Sequence, residues 1–480
     1  MPPTHNYSLL GPTSDSNFLR KITRKWIIVG VLTVFGLTFI IQSTTLRSGT
    51  SEPEALQTKL LRTGDWRQGG PEAWRNPSNS LKYPHPTIIG RENLLDESRY
   101  ITSFPIAGYT NKFIAYMHLI YLGILSNRIP IIPPILPPGW VPIDAGIILF
   151  GDIYNLTTLR DRIRHPVLEW SDVKTIPTTA DVQVDFTPTD PVEQLGCWSV
   201  RPRSADDPTW VRGAENVLKI DLSFTRVPSF SYFNQSDENE IFVTFPALAS
   251  LVYAKHPHPS FHQGPLMRAS RLGSELRPEE QLACFDFLYY ASSGVQRYEF
   301  ENRWSPAWNT VGTHLHFTQP LVDLTDGYLR RAMNIGEAED LPPMITIHLR
   351  RNDFKDLCPE GKAPPCFIPL SKYQRAVTEI QEKLLETRGI SVSRVLVTSD
   401  EKDLLFWEEI SSFGWNFFNH TAERTVERFS KWHPLLIDKV ALSQGIGFIG
   451  TNPSTFSVLN AFRVEDWNNG VTKMLRNDVD

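Results

Sequence analysis

Short apolar runs alternate with amphipathic helical stretches in roughly the last 140 residues, and this alternation restricts the fold more than any other feature of the sequence. Strands that alternate with helices form a parallel sheet with right-handed crossovers. The region 336–480 is therefore predicted to be a Rossmann-like domain. Its predicted strands are MITIHL (344–349), RVLVTSD (394–400, strand then turn), WNFF (415–418) and GFIG (447–450). Its predicted helices run from a capping box at Ser371 with Gln374 to about Leu385, from about Glu401, over 435–444 and from Ser454.

A similar unit begins near Tyr100. YITSF (100–104) suits a strand, GYTN a turn, Lys112–Ser126 a buried helix and Ile129–Ile132 a second strand. The middle of the chain is less regular, with strands expected over 217–223 and 241–245 and helices over 278–291 and 318–334. The predicted fold class is α/β with two Rossmann-like domains facing a cleft. The first spans 81–335 with irregular insertions.

The composition is that of a globular protein. Of the 480 residues, 41% are hydrophobic and 21% charged, which excludes global disorder and a membrane protein with many spans. The net charge of −5 argues against a nucleic-acid partner, since such proteins usually carry a basic balance.

One segment predicts a membrane anchor. Trp26–Ile41 holds 16 residues without a charge, and Arg20, Lys21, Arg24 and Lys25 precede it. Because positive charge stays in the cytoplasm, we expect a single-pass type II protein whose bulk lies in the lumen of the ER or Golgi. The predicted parts are a cytoplasmic tail (1–25), a signal anchor (26–42) and a stem (43–80). A cleaved signal peptide is the alternative, which the long basic region and the lack of an A-x-A site disfavour.

Two further patterns agree with a lumenal location. Glycosylation sequons occur at Asn155, Asn234 and Asn419. Four cysteines, Cys197, Cys284, Cys358 and Cys366, allow three pairings in an oxidising compartment. Cys358 and Cys366 flank the short segment PEGKAPP, so a disulfide between them is expected, with two free buried thiols as the alternative.

Polar clusters follow three predicted strands of the C-terminal domain: HLRRND (348–353), TSDE (398–401) and GTNPSTFS (450–457). Ligands of open parallel sheets bind beyond the carboxyl ends of the strands. Paired guanidinium groups beside a helix start form an anion site suited to phosphate. Surface ion pairs and ordinary helix caps are the alternative for each cluster. Neither a P-loop nor a G-x-G-x-x-G after a strand occurs, which disfavours NAD and FAD.

HLRRNDF, TSDE, and Asp438 sixteen residues before STFS together resemble the GDP-fucose protein O-fucosyltransferase family and its fungal and plant relatives. GYTN, followed by an apolar helix and NRIPIIPP, resembles that family's first sugar-nucleotide loop. The likeness spans roughly residues 99–465. It implies a GT-B fold, GDP-fucose as donor, transfer to a protein or glycan hydroxyl with inversion, and no metal or other cofactor. A lumenal binder without activity and a transferase using another sugar nucleotide are the alternatives.

The resemblance also implies roles for individual residues. Arg350 would contact the β-phosphate and stabilise the departing GDP, with His348 beside it. Asp438 would accept hydrogen bonds from the guanine N1–H and N2–H groups, and Asn111 would approach from the N-terminal half. The nucleotide would also contact Ser454, Thr455 and Phe456, and the loop would be braced by Arg351, Asp353 and Asp400.

Two departures from the family pattern matter. Asn352 replaces a usual glycine, and asparagine tolerates a positive φ. Ala107 stands where one branch of the family has a glutamate as general base, so the base is left unassigned. A solvated turn is expected for His256, His258 and His262, and core packing is favoured over an acceptor groove for Trp140, Trp304 and Trp308.

Overall fold

The computed structural model describes residues 72–137, 141–176, 192–207, 211–356, 358 and 366–477. The predicted cytoplasmic tail, the predicted anchor Trp26–Ile41 and most of the predicted stem lie outside these ranges. No helix within them combines the length and the apolar composition that crossing a lipid bilayer requires. Residues 72–80 form two short helical turns, and Arg75 pairs with Asp161 of the first lobe at 2.6 Å.

The N-terminal lobe is built on a parallel six-stranded sheet. Its strands have the order β3-β2-β1-β7-β4-β5, and a separate parallel pair is formed by β6 and β8. The strands are β1 Tyr100–Ser103, β2 Ile129–Ile132, β3 Leu168–Glu169, β4 Glu193–Ser199, β5 Ile220–Arg226, β6 Val243–Thr244, β7 Leu282–Phe285 and β8 Ala291–Ser292. The helices are α1 Tyr109–Ser126, α2 Phe150–Ile153, α3 Leu156–Ile163, α4 Trp170–Val173, α5 Phe245–Leu251, α6 Pro306–Thr310 and α7 Gln319–Met333.

Helix α1 is the central helix of this lobe. It follows β1 and is buried on nearly every side, because the sheet, α5 and α6 all pack around it. It begins after Gly108 and ends at Asn127, whose φ of 58° closes the helix in the left-handed region. Asn111 in its first turn is thereby placed just beyond the carboxyl end of β1.

The C-terminal lobe has a five-stranded parallel sheet of order β11-β10-β9-β12-β13. The direction of strand succession reverses between β9 and β12, and such a switch point opens a crevice at the carboxyl ends of the strands. The strands are β9 Met344–Leu349, β10 Arg394–Ser399, β11 Asn416–Phe417, β12 Gly447–Thr451 and β13 Val471–Leu475. The helices are α8 Leu370–Arg388, α9 Leu404–Ser412, α10 Thr425–Arg428, α11 His433–Ser443 and α12 Thr455–Asn468.

Two parallel sheets confirm the α/β class with two Rossmann-like halves. The helix predicted over 278–291 is wrong, because Leu282–Phe285 is strand β7 at the centre of the first sheet, between β1 and β4. A short apolar run fits a buried strand and a buried helix equally well, and pairing with distant strands decided this one. The capping box at Ser371 is also wrong, since α8 begins at Leu370 after Pro369 and has no side-chain cap.

The segment expected as a strand over 217–223 is split. Residues Gly213–Leu218 form a π-helical turn, and the strand occupies Ile220–Arg226 instead. The strand expected over 241–245 shortens to Val243–Thr244, because α5 begins at Phe245 with a proline in its first turn.

Two disulfides are present. Cys197 on β4 joins Cys284 on β7, a pairing that the sequence left open, and it links two adjacent strands in the buried core. The second joins Cys358 to Cys366 in the connection after β9.

Candidate functional site

The loops that follow β9 and β12 lie together at the switch point of the C-terminal sheet. The backbone N–H of Arg350 donates to Thr451 Oγ1 at 3.0 Å, and Thr451 Oγ1 donates to the carbonyl oxygen of His348 at 3.1 Å. The hydroxyl of Tyr373 on α8 lies 2.8 Å from the same Thr451 oxygen. The structure thus brings two of the predicted clusters, HLRRND and GTNPSTFS, into direct contact.

His348 connects β9 to the start of α12. Its Nδ1 lies 2.7 Å from Ser457 Oγ, and its ring lies 4.7 Å from the Phe456 ring, centre to centre. Only 6% of His348 is exposed. Burial, and next the charge of Arg350, lowers the pKa of His348 well below its usual value. His348 is therefore a neutral imidazole that fixes the first turn of α12.

Arg350 lies at the edge of the crevice, with its side chain 24% exposed. Its Nε is 2.9 Å from Asp353 Oδ1, and its Nη1 is 2.7 Å from Asp400 Oδ2. The first carboxylate is largely exposed, whereas Asp400 also accepts a hydrogen bond from the backbone N–H of Arg351 at 2.8 Å. The guanidinium is thus held in place by carboxylates on two loops. An anion bound beside Arg350 would share the guanidinium with the carboxylates of Asp353 and Asp400.

Arg351 points to a different environment. Its Nε donates to Glu401 Oε2 at 2.6 Å, and its guanidinium stacks over the rings of Phe367 and Phe406 at 3.9 and 4.7 Å. A planar cation between aromatic rings and a carboxylate fixes the loop after β9 against the loop after β10. The two adjacent arginines therefore differ, since Arg350 borders the crevice and Arg351 braces the loop.

The start of α12 meets the N-terminal lobe. Ser454 precedes the helix and is 7% exposed, and its side chain caps no backbone N–H of the helix. Thr455 Oγ1 donates to Asn111 Oδ1 at 2.9 Å, a contact that joins α12 to the first turn of α1. Each of these helices follows a strand at its carboxyl end. The carboxyl edges of the two sheets therefore face each other across this contact.

Asp438 lies on α11, with Oδ1 at 3.1 Å from His420 Nε2. His420 Nδ1 in turn lies 3.1 Å from Thr425 Oγ1, whose partner at 2.7 Å is the hydroxyl of Tyr328. The Asp438 side chain is 24% exposed, so it is accessible at one edge. A short polar network of His420, Thr425 and Tyr328 therefore orients the Asp438 carboxylate.

Several site residues have only weak signals in the amino-acid sequence. Thr451 and Ser457 fall inside GTNPSTFS but were not singled out, and their roles depend on contacts with β9. His420 follows Asn419, and nothing local connects it to Asp438. Lys439 directly follows Asp438 in the largely apolar helical stretch LLIDKVALSQ, and an adjacent acid and base there suggest an ordinary exposed ion pair.

The other predicted residues are placed as follows. Ala107 is half-buried in the loop between β1 and α1 and supplies no ionisable group. Trp308 is fully buried, with Nε1 donating to Asp466 at 2.6 Å, whereas Trp304 is 72% exposed and Trp140 lies outside the described residues. His262 pairs with Glu280 at 3.3 Å.

The described part of the chain contains no cluster of three or more His, Cys, Asp or Glu side chains that could hold a metal ion. Of the sequon residues, Asn234 and Asn419 are exposed, and Asn155 is half-buried, where it caps α3 by accepting from the N–H of Thr158.

Neither the models of known protein families nor the sequences of curated proteins gave a match. Among solved structures, POFUT1 in complex with GDP-fucose aligns with 12% identity and a TM-score of 0.47, over 80% of this chain and 99% of that one. The POFUT1 apo-form aligns with 13% identity and a TM-score of 0.45, over 79% and 99%. The fucosyltransferase NodZ from Bradyrhizobium aligns with 12% identity and a TM-score of 0.38, over 76% and 93%.

Proposed function

We propose that this protein is a glycosyltransferase that transfers fucose from GDP-fucose to an acceptor hydroxyl, with inversion at the sugar carbon and without a metal ion. The acceptor is a protein serine or threonine, or a glycan. The observation that carries the proposal is the position of Arg350, at the switch point of a parallel sheet and joined through Thr451 to the loop that opens α12. This combination suits a diphosphate.

The chemistry follows from where charge develops. Breaking the bond between fucose and phosphate leaves negative charge on the β-phosphate of GDP. A guanidinium already held by Asp353 and Asp400 needs little reorganisation to stabilise that charge, so it favours the transition state over the bound substrate. The backbone N–H groups of the first turn of α12 and the positive end of its dipole act in the same direction.

Recognition of the base is assigned to Asp438. Its carboxylate can accept from the guanine N1–H and N2–H groups together, a pair of donors that adenine does not offer. His420 orients the carboxylate from behind. Asn111 and Thr455, which join the two lobes, would contact the donor from either side of the cleft.

Activation of the acceptor hydroxyl has no assigned base in this mechanism. Ala107 cannot act as a base, and its position in the loop before α1 lacks an ionisable side chain. We propose that leaving-group departure provides most of the driving force, so that little proton removal is needed before the sugar carbon becomes electrophilic. The hydroxyl proton then passes to solvent as the acceptor oxygen bonds to that carbon and GDP leaves.

The test is a donor-hydrolysis and binding assay on the purified protein with GDP-fucose, GDP-mannose and UDP-sugars. We expect GDP and GDP-fucose to bind and GDP-fucose to be hydrolysed. Arg350→Ala should lose at least about tenfold in GDP affinity, since a charge-assisted pair contributes on the order of 1.5–3 kcal/mol. Arg375→Ala, an exposed arginine on α8, is the matched control. Equal binding by wild type and Arg350→Ala would refute the proposal.

A lumenal GDP-sugar binder without activity is the second candidate, and Ala107 is the observation that favours it. This candidate predicts GDP affinity that depends on Arg350, with no release of fucose under any acceptor condition. Turnover in the same assay separates the two functions.

The proposed location is the lumen of the ER or Golgi, with the chain anchored as a single-pass type II membrane protein through Trp26–Ile41. The exposed side chains of Asn234 and Asn419 suit glycosylation there. Protease protection of the C-terminal part in intact microsomes, together with a mobility shift on glycosidase treatment, tests this. Digestion without membrane permeabilisation would contradict it.

A further inference from the structure

Lys439 is a buried lysine directly behind the proposed donor site. It lies on α11 next to Asp438, and it is 1% exposed. Its Nζ donates to the carbonyl oxygen of Phe456 at 3.0 Å and lies 4.0 Å from the centre of the Phe456 ring. The amine is therefore fixed against the first turn of α12, the turn that opens the proposed diphosphate site.

No carboxylate in the described part of the chain contacts this amine. The neighbouring Asp438 is directed to His420 instead. The ionisable groups that face Lys439 are His348 on β9 and Arg463 on α12, and neither supplies negative charge. Buried cations are usually paired, because desolvation of an isolated charge costs several kcal/mol. Lys439 thus departs from the ordinary pattern.

Arg463 adds to the positive potential. It is fully buried, its guanidinium lies 4.9 Å from the ring centres of Phe113 and Phe317, and its Nη2 donates to Tyr154 at 3.4 Å. The hydroxyl of Tyr154 is paired in turn with that of Tyr109 at 2.8 Å. The surroundings of Arg463 from the N-terminal lobe are therefore aromatic rings and phenols, with no carboxylate among these contacts.

Burial, and next the charge of Arg463, lower the pKa of Lys439 well below its usual value. Without a bound anion the amine is stabilised in its neutral form. A diphosphate at the start of α12 would reverse this balance, because its negative charge acts through a medium of low dielectric and favours the ammonium.

We propose that Lys439 is a charge-supplying residue of the donor site, whose amine takes up one proton from solvent when a nucleoside diphosphate binds at the start of α12. The inference rests on the proposed function and deepens it. Proton uptake converts a neutral amine, R–NH₂, into R–NH₃⁺, and no other bond changes. Lys439 does not touch the ligand. It acts through the first turn of α12 and through its field, and so discriminates in favour of ligands that carry a diphosphate.

The experiment is calorimetric titration of the full chain with GDP and, separately, with guanosine. It is run at pH 8, where the terminal phosphate of GDP is already ionised, in two buffers of different ionisation enthalpy. We expect uptake of about one proton with GDP and none with guanosine. Lys439→Met should abolish the uptake, weaken GDP binding roughly tenfold and leave guanosine binding unchanged. Lys383→Met, on the exposed face of α8, should behave as wild type.

The outcomes separate the two claims. Wild type that binds GDP without taking up a proton refutes the role of Lys439 and leaves the proposed function standing. The same holds if Lys439→Met binds GDP as tightly as wild type and takes up the same proton. Wild type that binds no GDP refutes both. If Lys439→Met does not fold, the proton count of wild type alone decides.

Discussion

Buried histidines should make this protein less stable as the pH falls, and His118 in the N-terminal lobe shows why. It is fully buried on α1, with Nδ1 at 2.8 Å from the carbonyl oxygen of Leu288. A carbonyl only accepts, so Nδ1 carries the proton, and the buried Nε2 has no hydrogen-bond partner among the described residues. Burial lowers the pKa of His118 to about 4, and it does the same for His165, which is 4% exposed.

The direction of the pH effect on stability follows from comparing the histidine pKa in the folded and unfolded chains. In the unfolded chain a histidine has a pKa near 6.5, so below that pH it binds a proton that the folded protein does not accept. The stabilisation by neutral His118 is complete above pH ~6.5 and is lost as the pH falls towards the folded pKa of about 4. At pH 5 the loss is about 2 kcal/mol for each such histidine.

The assay is urea unfolding of wild type and His118→Asn at pH 7 and pH 5. The asparagine amide can keep a donor towards Leu288 and cannot become charged. We therefore expect the variant to lose about 2 kcal/mol less than wild type between the two pH values. His262→Asn is the control, because that side chain is 66% exposed. The same pH-dependent loss in wild type and His118→Asn would show that the imidazole is not buried in its neutral form.

Three further substitutions test the packing around the site. The buried Trp308 Nε1 donates to Asp466 at 2.6 Å, and Asp466→Ala removes that acceptor. In urea unfolding, Asp466→Ala should lower the free energy of unfolding by about 1–3 kcal/mol, and Asp466→Asn should lower it by less. Gly450→Ala places a Cβ 2.7 Å from Ser457 Cβ, so we expect about 1–3 kcal/mol of destabilisation in the same assay, together with weaker GDP binding in a titration. Thr455→Val removes the bond to Asn111 across the lobes and should reduce the unfolding free energy by about 0.5–1.5 kcal/mol, and an unchanged urea midpoint would refute that estimate.

Much of the C-terminal lobe could be predicted because its signals are local. Met344–Leu349 is a short apolar run that is buried along its whole length, and the stretches between the strands have helical periodicity. The carboxyl ends of parallel strands necessarily share one edge of a sheet. The segments HLRRND and GTNPSTFS could therefore be expected near each other, although 109 positions separate His348 from Ser457.

The N-terminal lobe was harder to predict from the sequence because of the topology of its sheet. Strand β7 inserts between β1 and β4, so its pairing partners lie far away in the sequence. Nothing in the run LACF encodes those partners. Strand β4 contains Gly196, which is required where the backbone of Arg277 passes, since a Cβ there would lie 2.1 Å from the Arg277 carbonyl oxygen. A glycine in a strand weakens the sequence signal that it belongs to one.

Side-chain partners at the site were beyond sequence reasoning altogether. Two adjacent arginines after β9 look equivalent in HLRRND, yet Arg350 pairs with Asp353 and Asp400 at the crevice while Arg351 stacks between aromatic rings. The difference comes from side-chain direction at the end of a strand. Successive residues there point to opposite sides.

Both lobes contribute to the site, because α12 of the C-terminal lobe also contacts the N-terminal lobe. Its first residue, Thr455, bonds to Asn111 on α1, and eight residues later Arg463 is enclosed by aromatic rings that include Phe113 of the same helix α1. Separating the lobes would break the hydrogen bond between Thr455 and Asn111 and remove the guanidinium of Arg463 from its aromatic rings. The aromatic rings around Arg463 favour contact between the two lobes, because packing and cation–π attraction act only at short range. The distance between the helix starts that would hold the two ends of a donor is therefore determined within the folded protein before any ligand binds.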